Sequence, residues 1–281
     1  MFSTASFLIT FREVLEAALI VGILLVYVSK IEQRKLKKQI WVGTVIGIVL
    51  SIVFAVLFQL LLGGFSGYEE IFEGFTMIIA SLLLGWMIIW MSSEGSKIKE
   101  GLERKVDQTL EESKKYGVLL LTVFSVLREG VETVLFLSGV EAIEGNYFTM
   151  LWSGVLGLVV ALIVAALVFL SGKRINIKAF FITTGILLVF FAAGMFTYGI
   201  HELQEINWFG PETYWLQKQL WDTSGFIDDK NTEIGRFLRS LFGYQDKPTA
   251  LELIVYLGFF ATLSFVLLMV RRKKKKFKGK R

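Results

Sequence analysis

Long apolar runs constrain this chain more than any other feature of its sequence. The chain has 281 residues, of which 54% are hydrophobic, and several runs reach the roughly 20 residues that an α-helix needs to cross a bilayer. Inside hydrocarbon each segment has to satisfy its own backbone hydrogen bonds, so these runs predict helices. A soluble fold is excluded, and the sequence predicts an all-α, polytopic membrane protein.

Seven transmembrane helices are predicted from these runs. Their approximate ranges are 4–29, 39–63, 70–92, 117–141, 148–171, 177–201 and 251–270. The N-terminal run has neither a basic n-region nor a small-residue cleavage signature. We therefore expect a retained first span rather than a cleaved signal peptide.

Basic residues between the spans predict the orientation of the chain. Lys and Arg follow the first, third, fifth and seventh spans, which all end on one side. The positive-inside rule makes that side cytoplasmic, with the N-terminus outside and the C-terminus inside. The tail 271–281 carries nine Lys and Arg, so subtracting it from the net charge of +5 leaves −4. We expect this tail to contact membrane lipid and no nucleic acid.

Two charged triplets interrupt the first and fourth spans. Both follow the pattern Arg-Glu-x-x-Glu, at residues 12–16 and 128–132. Charged groups at the centre of a membrane helix cost roughly 2.5 to 3.5 kcal/mol for Arg, Lys or Asp. Pairing between Arg and Glu could account for one triplet, but four acids exceed two bases and leave negative charge uncompensated. The candidate metal ligands are Glu13, Glu16, Glu129 and Glu132, with Arg12 and Arg128 supporting them.

The spacing of these acids suits a hard cation. The two Glu of each copy lie about 60° apart on one helix face, because successive residues turn by about 100°. Two such faces form an oxygen-rich cage, while the chain has no cysteine for a thiolate site. Ferric iron fits this cage best, and ferrous iron, manganese or another hard cation remains open. The ion is a substrate, and no cofactor is expected.

The predicted topology also indicates an internal repeat. The first span runs inward and the fourth outward, so spans one to three and four to six form two inverted three-helix repeats, a recurring transporter plan. The predicted organisation is a first repeat (1–92), a charged cytoplasmic connector (93–116), a second repeat (117–202), an extracytoplasmic amphipathic segment (203–250), and a seventh helix with its basic tail (251–281). A spacing of four between Leu102, Val106 and Leu110 predicts a surface helix in the connector. Gly43-x-x-x-Gly47 predicts close helix packing.

Acidic residues and the sole histidine gather at the predicted outer side. Solvated span ends and a polar cap explain such residues, but an outer route for cations explains them too, with Glu73 the deepest. The residues concerned are Glu69, Glu70, Glu73, His201, Glu202 and Glu205.

The segment between Asn207 and Pro248 is expected to form two helices on the membrane or over the mouth of the bundle. The first begins at Pro211 and reaches about Trp221. The second follows Asn231 as N-cap and stops at Gly243. Its apolar face would contain Ile234, Phe237, Leu238, Leu241 and Phe242.

At the two triplets the chain resembles the oxidase-dependent iron permeases, which include the yeast high-affinity ferric permease and the bacterial Efe-type permeases. That family is marked by two R-E-G-L-E motifs, which here read R-E-V-L-E and R-E-G-V-E, with Val14 as the departure. The resemblance extends to residues 201–205, 221–224 and 241–248. It implies an iron permease of a bacterial plasma membrane, not an enzyme, in which the four glutamates handle iron. It also implies two extracytoplasmic partners, an iron-binding protein and a haem peroxidase.

Two other function classes stay open on the residues alone. A membrane di-iron oxidoreductase would also use a carboxylate bundle, but such sites use Glu-x-x-His pairs and neither motif supplies a histidine. A receptor or assembly subunit that transports nothing would not need four acids at the membrane midplane.

Overall fold

The computed structural model describes residues 2–63, 69–94, 98–112, 114–171, 177–210 and 214–278. Within these ranges the chain forms nine α-helices and no β-strand. The helices are α1 (Thr4–Lys30), α2 (Arg34–Gly63), α3 (Glu69–Glu94), α4 (Ile98–Glu111), α5 (Gly117–Glu144), α6 (Tyr147–Ser171), α7 (Ile177–Glu205), α8 (Glu233–Phe242) and α9 (Ala250–Lys278). The predicted all-α class is confirmed.

Each span predicted from the sequence lies within one of these helices. Five of them, α2, α3, α6, α7 and α9, are long and apolar enough to cross a membrane. The helices α1 and α5 have similar lengths, 27 and 28 residues, but they are set apart by the charged triplets that they contain. The predicted surface helix in the connector is α4, which buries Leu102 and Val106.

Three helix pairs make the most extensive contacts: α1 with α6, α2 with α5, and α3 with α7. Glycines allow the backbones in these pairs to approach closely. A Cβ atom added at Gly157 of α6 would lie 2.5 Å from the carbonyl oxygen of Phe7, and one added at Gly43 of α2 would lie 2.8 Å from that of Leu119. The predicted close packing at Gly43 and Gly47 is therefore confirmed.

The pair formed by α3 and α7 crosses at two facing glycines. A Cβ added at Gly74 would lie 2.9 Å from the carbonyl oxygen of Gly199, and one added at Gly199 would lie 2.7 Å from that of Gly74. Any larger residue at either position would therefore collide with the opposite backbone.

Two apolar clusters fill the bundle on either side of the charged triplets. We call the end where α1 begins and α8 lies the upper end, and the end where α4 lies the lower end. The upper cluster joins α1, α3, α5 and α7 and includes Ile9, Met77, Phe136, Val140 and Phe191. The lower cluster joins α1, α2, α4 and α5 and includes Leu24, Val28, Ile40, Val106 and Val118. The charged triplets therefore lie between two apolar regions of the bundle.

The second predicted helix of the outer segment is α8, with a different start. Its N-cap is Thr232, whose hydroxyl accepts a hydrogen bond from the backbone N–H of Gly235 at 3.0 Å. Asn231 instead donates to Asp228. The predicted stop is confirmed at Gly243, which has a left-handed φ of +66°. Of the predicted apolar face Leu241 is fully buried, while Ile234 is exposed.

The first predicted helix of that segment is wrong over its described part. Pro211 lies outside the described residues, and from residue 214 onward there is a single 3-10 turn, Trp215–Gln217. The backbone beyond it pairs with the start of α9: Leu220 donates to the carbonyl oxygen of Pro248, and Ala250 donates to that of Lys218. These hydrogen bonds between distant residues replace those of a local helix.

Glycine packing between α1 and α6 leads to a stability prediction. Gly157→Ala places a methyl group against the backbone of Phe7, and overpacking of this kind costs about 1–3 kcal/mol. Gly185→Ala is the matched control, because a Cβ there meets no atom within 4 Å and alanine has the higher helix propensity. We expect the first variant to lower the apparent unfolding temperature in detergent and the second to leave it unchanged or raise it. Equal temperatures for the two variants would contradict the close approach of α1 and α6.

Candidate metal centre

Carboxylates from both triplets meet inside the bundle. Glu13 and Glu16 lie on one face of α1, and Glu129 lies on α5. Each offers an oxygen within 4.8 Å of the oxygens of the other two. Their exposed fractions are 1%, 5% and 2%. The structure thus brings the predicted acids of α1 together with Glu129, while Glu132 lies one turn further along α5 and pairs with the same arginine as Glu129.

The triplet of α1 is enclosed. Arg12 donates from Nη1 to Glu13 Oε1 at 2.8 Å and to the sulfur of Met87 at 3.1 Å. Its Nη2 lies 2.8 Å from Glu16 Oε1 as an ion pair, although the angle is outside hydrogen-bond geometry. The arginine is only 2% exposed. It therefore balances two buried acids from within the protein.

The triplet of α5 is open on one side. Arg128 lies 2.5 Å from Glu129 Oε1 through Nη2 and 3.6 Å from Glu132 Oε1 through Nε. Its side chain is 48% exposed, and its guanidinium lies over the ring of Trp90 near the lower end of α3. Glu132 is 20% exposed. The two copies of the motif therefore differ in their access to the surroundings, which the repeated sequence did not reveal.

Several carboxylate oxygens of the site have no internal partner. Oε2 of Glu13, Glu129 and Glu132 is buried and accepts no hydrogen bond from any described residue. A buried acceptor without a partner is unfavourable, and a buried charge is more so. Four ionised glutamates beside two arginines carry a formal charge of −2. The arrangement can bind a cation through oxygen, the ligand that hard ions prefer.

The departure at Val14 has a packing explanation. A Cβ at the equivalent Gly130 would lie 1.9 Å from the hydroxyl oxygen of Ser51 on α2. Val14 instead packs against a cluster on α6 that contains Ala161 and Ala165. In the copy on α5, the small residue is Gly130, on the motif helix itself. In the copy on α1, the small residues are the alanines of the neighbouring helix α6. Both α1 and α5 remain helical through the motif, so neither position breaks its helix.

The outer acids gather where α3 begins and α7 ends. Glu70 and Glu73 lie close enough to Glu202 to interact with it electrostatically, as does Glu205. Glu141 of α5, which sequence reasoning missed, is a further neighbour of Glu73. The side chain of Glu69 lies outside the described residues.

His201 links two helices at this end. Its Nδ1 lies 2.6 Å from Oε1 of Glu252 on α9, and its Nε2 lies 3.3 Å from Oε1 of Glu205. Glu252 is 1% exposed and also accepts the backbone N–H of Thr249. Sequence reasoning missed Glu252, although Thr249-x-x-Glu252 is a capping-box pattern that could have indicated it.

A separate group of acids holds the turn before α8. Asp228, Asp229 and Asp246 each offer an oxygen within 4.8 Å of the others. Hydrogen bonds from Asn231 and from the backbone lower the pKa of Asp228. Asp229 pairs with Arg239 at 3.0 Å, and burial raises the pKa of Asp246. These contacts explain the group as part of the local structure.

The fold and the site define a class: helical membrane proteins that enclose carboxylates suited to a hard cation. The sequence model of the iron permease FTR1 family matches residues 3–274, and the chain belongs to this family. The ferrous iron permease EfeU of Escherichia coli O6:H1 is 30% identical over 266 residues, which cover 93% of this chain and 94% of that protein. EfeU of Yersinia pseudotuberculosis is 31% identical over 260 residues, which cover 91% and 89%.

No solved structure shows a significant match to this chain. The family consists of permeases rather than enzymes, which confirms the resemblance drawn from the two motifs. Family membership and the several apolar helices both indicate a multi-pass membrane protein.

Because Arg12 is more deeply buried than Arg128, we expect its substitution to destabilise the protein more. Arg12→Gln leaves two buried acids without their counter-charge, which costs about 3–5 kcal/mol for a buried pair. Arg128→Gln removes a half-exposed partner, and we expect a loss nearer the roughly 1.5–3 kcal/mol of one charged hydrogen bond. Apparent unfolding temperatures measured in detergent show which of the two variants loses more stability. Arg104→Gln on the exposed face of α4 is the control, and an equal or larger loss for Arg128→Gln would overturn this interpretation.

Proposed function

We propose that this protein carries iron into the cytoplasm across the plasma membrane by binding it at Glu13, Glu16, Glu129 and Glu132. The observation that carries the proposal is the meeting of buried carboxylate oxygens from α1 and α5 within 4.8 Å. Bound iron would neutralise the uncompensated negative charge and would be coordinated by the oxygens that accept no internal hydrogen bond. The arginines hold the acids in place before the ion arrives.

Ferrous iron is the form that we propose as substrate. The two relatives described above are named ferrous iron permeases, and oxygen ligands accept ferrous, ferric and manganous ions alike. Competition experiments distinguish these ions. The uptake of labelled ferrous iron should be reduced less by added manganese than by added unlabelled ferrous iron. An uptake that requires an oxidant would favour ferric iron instead.

The proposed transport plan consists of seven spans, six of which form two inverted repeats. If α1, α2 and α3 correspond to α5, α6 and α7, the pairing of α1 with α6 is equivalent to that of α2 with α5. The third pair, α3 with α7, then corresponds to itself, and it crosses at the facing glycines Gly74 and Gly199. This pattern is expected of a two-fold relation with the site between the repeats.

The upper end is the extracytoplasmic one in this proposal. The acids at the start of α3 and the end of α7 would then face the outside and concentrate cations near the bundle. Glu69, Glu70, Glu73, Glu202 and Glu205 are the acids in question, and His201 would join them only if an ion displaced its contacts with Glu205 and Glu252.

The outer segment is the surface that we propose for extracytoplasmic partners, an iron-binding protein and a haem peroxidase. It exposes large aromatic side chains, among them Trp215 at 67% and Phe226 at 89%. Aromatic side chains of this kind are enriched in protein interfaces.

The di-iron oxidoreductase is the second candidate, and no observation favours it. The sole histidine contacts Glu205 and Glu252 at the upper end of the bundle rather than the motif acids. Di-iron carboxylate bundles typically take a histidine from each of two helices.

Loss of a motif carboxylate should strongly reduce uptake. Glu13→Gln and Glu129→Gln preserve shape but remove a charged ligand, so we expect each to lower iron uptake in proteoliposomes by about tenfold or more. Glu111→Gln, on an exposed part of α4, is the matched control. If both motif variants kept wild-type uptake, the shared site would have to be abandoned.

The orientation can be measured with single cysteines, because the chain has none of its own. An impermeant thiol reagent added to intact cells should label Asn231→Cys and leave Lys38→Cys unlabelled, since both residues are exposed but lie at opposite ends. Labelling after permeabilisation controls for expression. The reverse pattern would refute the proposed topology and with it the direction of the repeats.

A further inference from the structure

We propose that α8 is a lid over the upper end of the bundle and that it must leave its seat for an ion to reach the glutamates. The lid rests on the proposed transport function, because it gives α8 a part in that process.

The position of α8 is central to the site. It contacts α1, α5 and α7, and the first two of these carry the motif glutamates. Ser3, at the start of α1, is nine residues from Arg12, which corresponds to about 14 Å along a helix. The lid thus lies above the two helices between which the ion would bind.

A single carboxylate oxygen joins α8 to both motif helices. Oε1 of Glu144, the last residue of α5, accepts a hydrogen bond from Ser3 at 2.8 Å and another from Ser240 of α8 at 2.5 Å. The three chain segments therefore meet at one atom. Releasing either hydroxyl removes this link between α8 and α1.

Arg239 of α8 forms the second attachment. Its Nε donates to the carbonyl oxygen of Ile143 at 3.0 Å, and its Nη1 donates to Asp229 at 3.0 Å. The guanidinium also lies over the ring of Tyr198 on α7, 4.9 Å from the ring centre. One side chain thus connects α8 to the upper ends of α5 and α7.

The apolar contacts of α8 lie near its C-terminal end, where Phe242 packs against Phe190 of α7 with the ring centres 5.3 Å apart. Leu241 is fully buried, but Ile234 is 65% exposed and Phe237 is 45% exposed. Polar groups released from the seat can form hydrogen bonds with water, so their separation costs little net free energy.

The close packing of α8 lies at its C-terminal end, where a Cβ added at Gly243 would lie 2.2 Å from the Cα of Gly194 on α7. The contacts of α8 with α1 and α5 are the polar ones described above, so the part of α8 that covers these two helices is the part suited to move.

The upper apolar cluster lies between α8 and the glutamates. Ile9 and Phe136 belong to it, and Ile143, which accepts the hydrogen bond from Arg239, is also a member. Opening of α8 would admit water to this cluster. The triplet of α5 is meanwhile exposed at Arg128, which lies over Trp90 near the lower end of α3.

Cross-linking tests whether the lid has to move. Ser3→Cys and Ser240→Cys are combined in this cysteine-free chain, and their thiols are joined by a short bis-methanethiosulfonate. This reagent forms a disulfide with each thiol and releases two sulfinate groups, so a reductant reverses the cross-link. We expect the cross-link to reduce iron uptake to about a tenth or less, because closure of a lid can limit turnover, and reduction to restore it. Each single variant, treated identically, is the control. Undiminished uptake by the cross-linked protein would overturn the lid.

A second measurement needs no transport. Ile9→Cys lies beneath the lid, and Arg239→Gln should speed its labelling by an impermeant thiol reagent about tenfold, because a charged hydrogen bond holding the closed state is lost. Glu233→Gln on the same helix, whose side chain is 80% exposed, should leave the rate unchanged. Equal rates with and without Arg239 would overturn the lid whatever the uptake. Absence of uptake in the unmodified protein, with faster labelling in Arg239→Gln, would instead refute the proposed function and leave the lid standing.

Discussion

Six charged side chains lie inside an apolar bundle, and they can be accommodated only by pairing with one another. Arg12 is the clearest case, because it is enclosed with Glu13 and Glu16 on its own helix. Removing charges from water carries a large penalty that only close partners offset. The motif helices therefore have to be covered on several sides. Glycines such as Gly43 and Gly157 bring α2 and α6 close enough to do so.

The two copies of the motif differ in how completely they enclose their charged side chains. Arg12 is sealed and reaches Met87, while Arg128 is half-exposed and lies over Trp90. A sealed copy keeps its acids in one geometry, whereas an open copy allows its arginine to move aside. The proposed ion site would combine a rigid half with an accessible half, which suits a site that must both bind and release.

The two ends of the bundle are covered by different means. At the lower end α4 buries Leu102 and Val106 in the lower apolar cluster. At the upper end α8 is attached to α1 and α5 through Glu144 and Arg239. Separating apolar surface exposes hydrocarbon to water, whereas separating hydrogen-bonded groups exchanges one partner for another. The two coverings therefore respond differently to hydration and to charge.

The sequence by itself determined the helices and the candidate ligands. Hydrophobic length and the need for internal backbone hydrogen bonds act locally, so each predicted span coincides with a helix. The Glu-x-x-Glu spacing likewise placed Glu13 and Glu16 on one face without knowledge of the neighbours. Such features depend on residues close in the chain, and these are visible in the sequence.

Only the tertiary structure decided the features that depend on distant residues. The pairing of His201 with Glu252, the different exposure of Arg12 and Arg128, and the attachment of α8 through Glu144 all join separate helices. The predicted helix at Trp221 failed for the same reason, because its backbone pairs with the residues before α9. Local preferences are worth little beside such contacts, which form only when the packed fold brings their partners together.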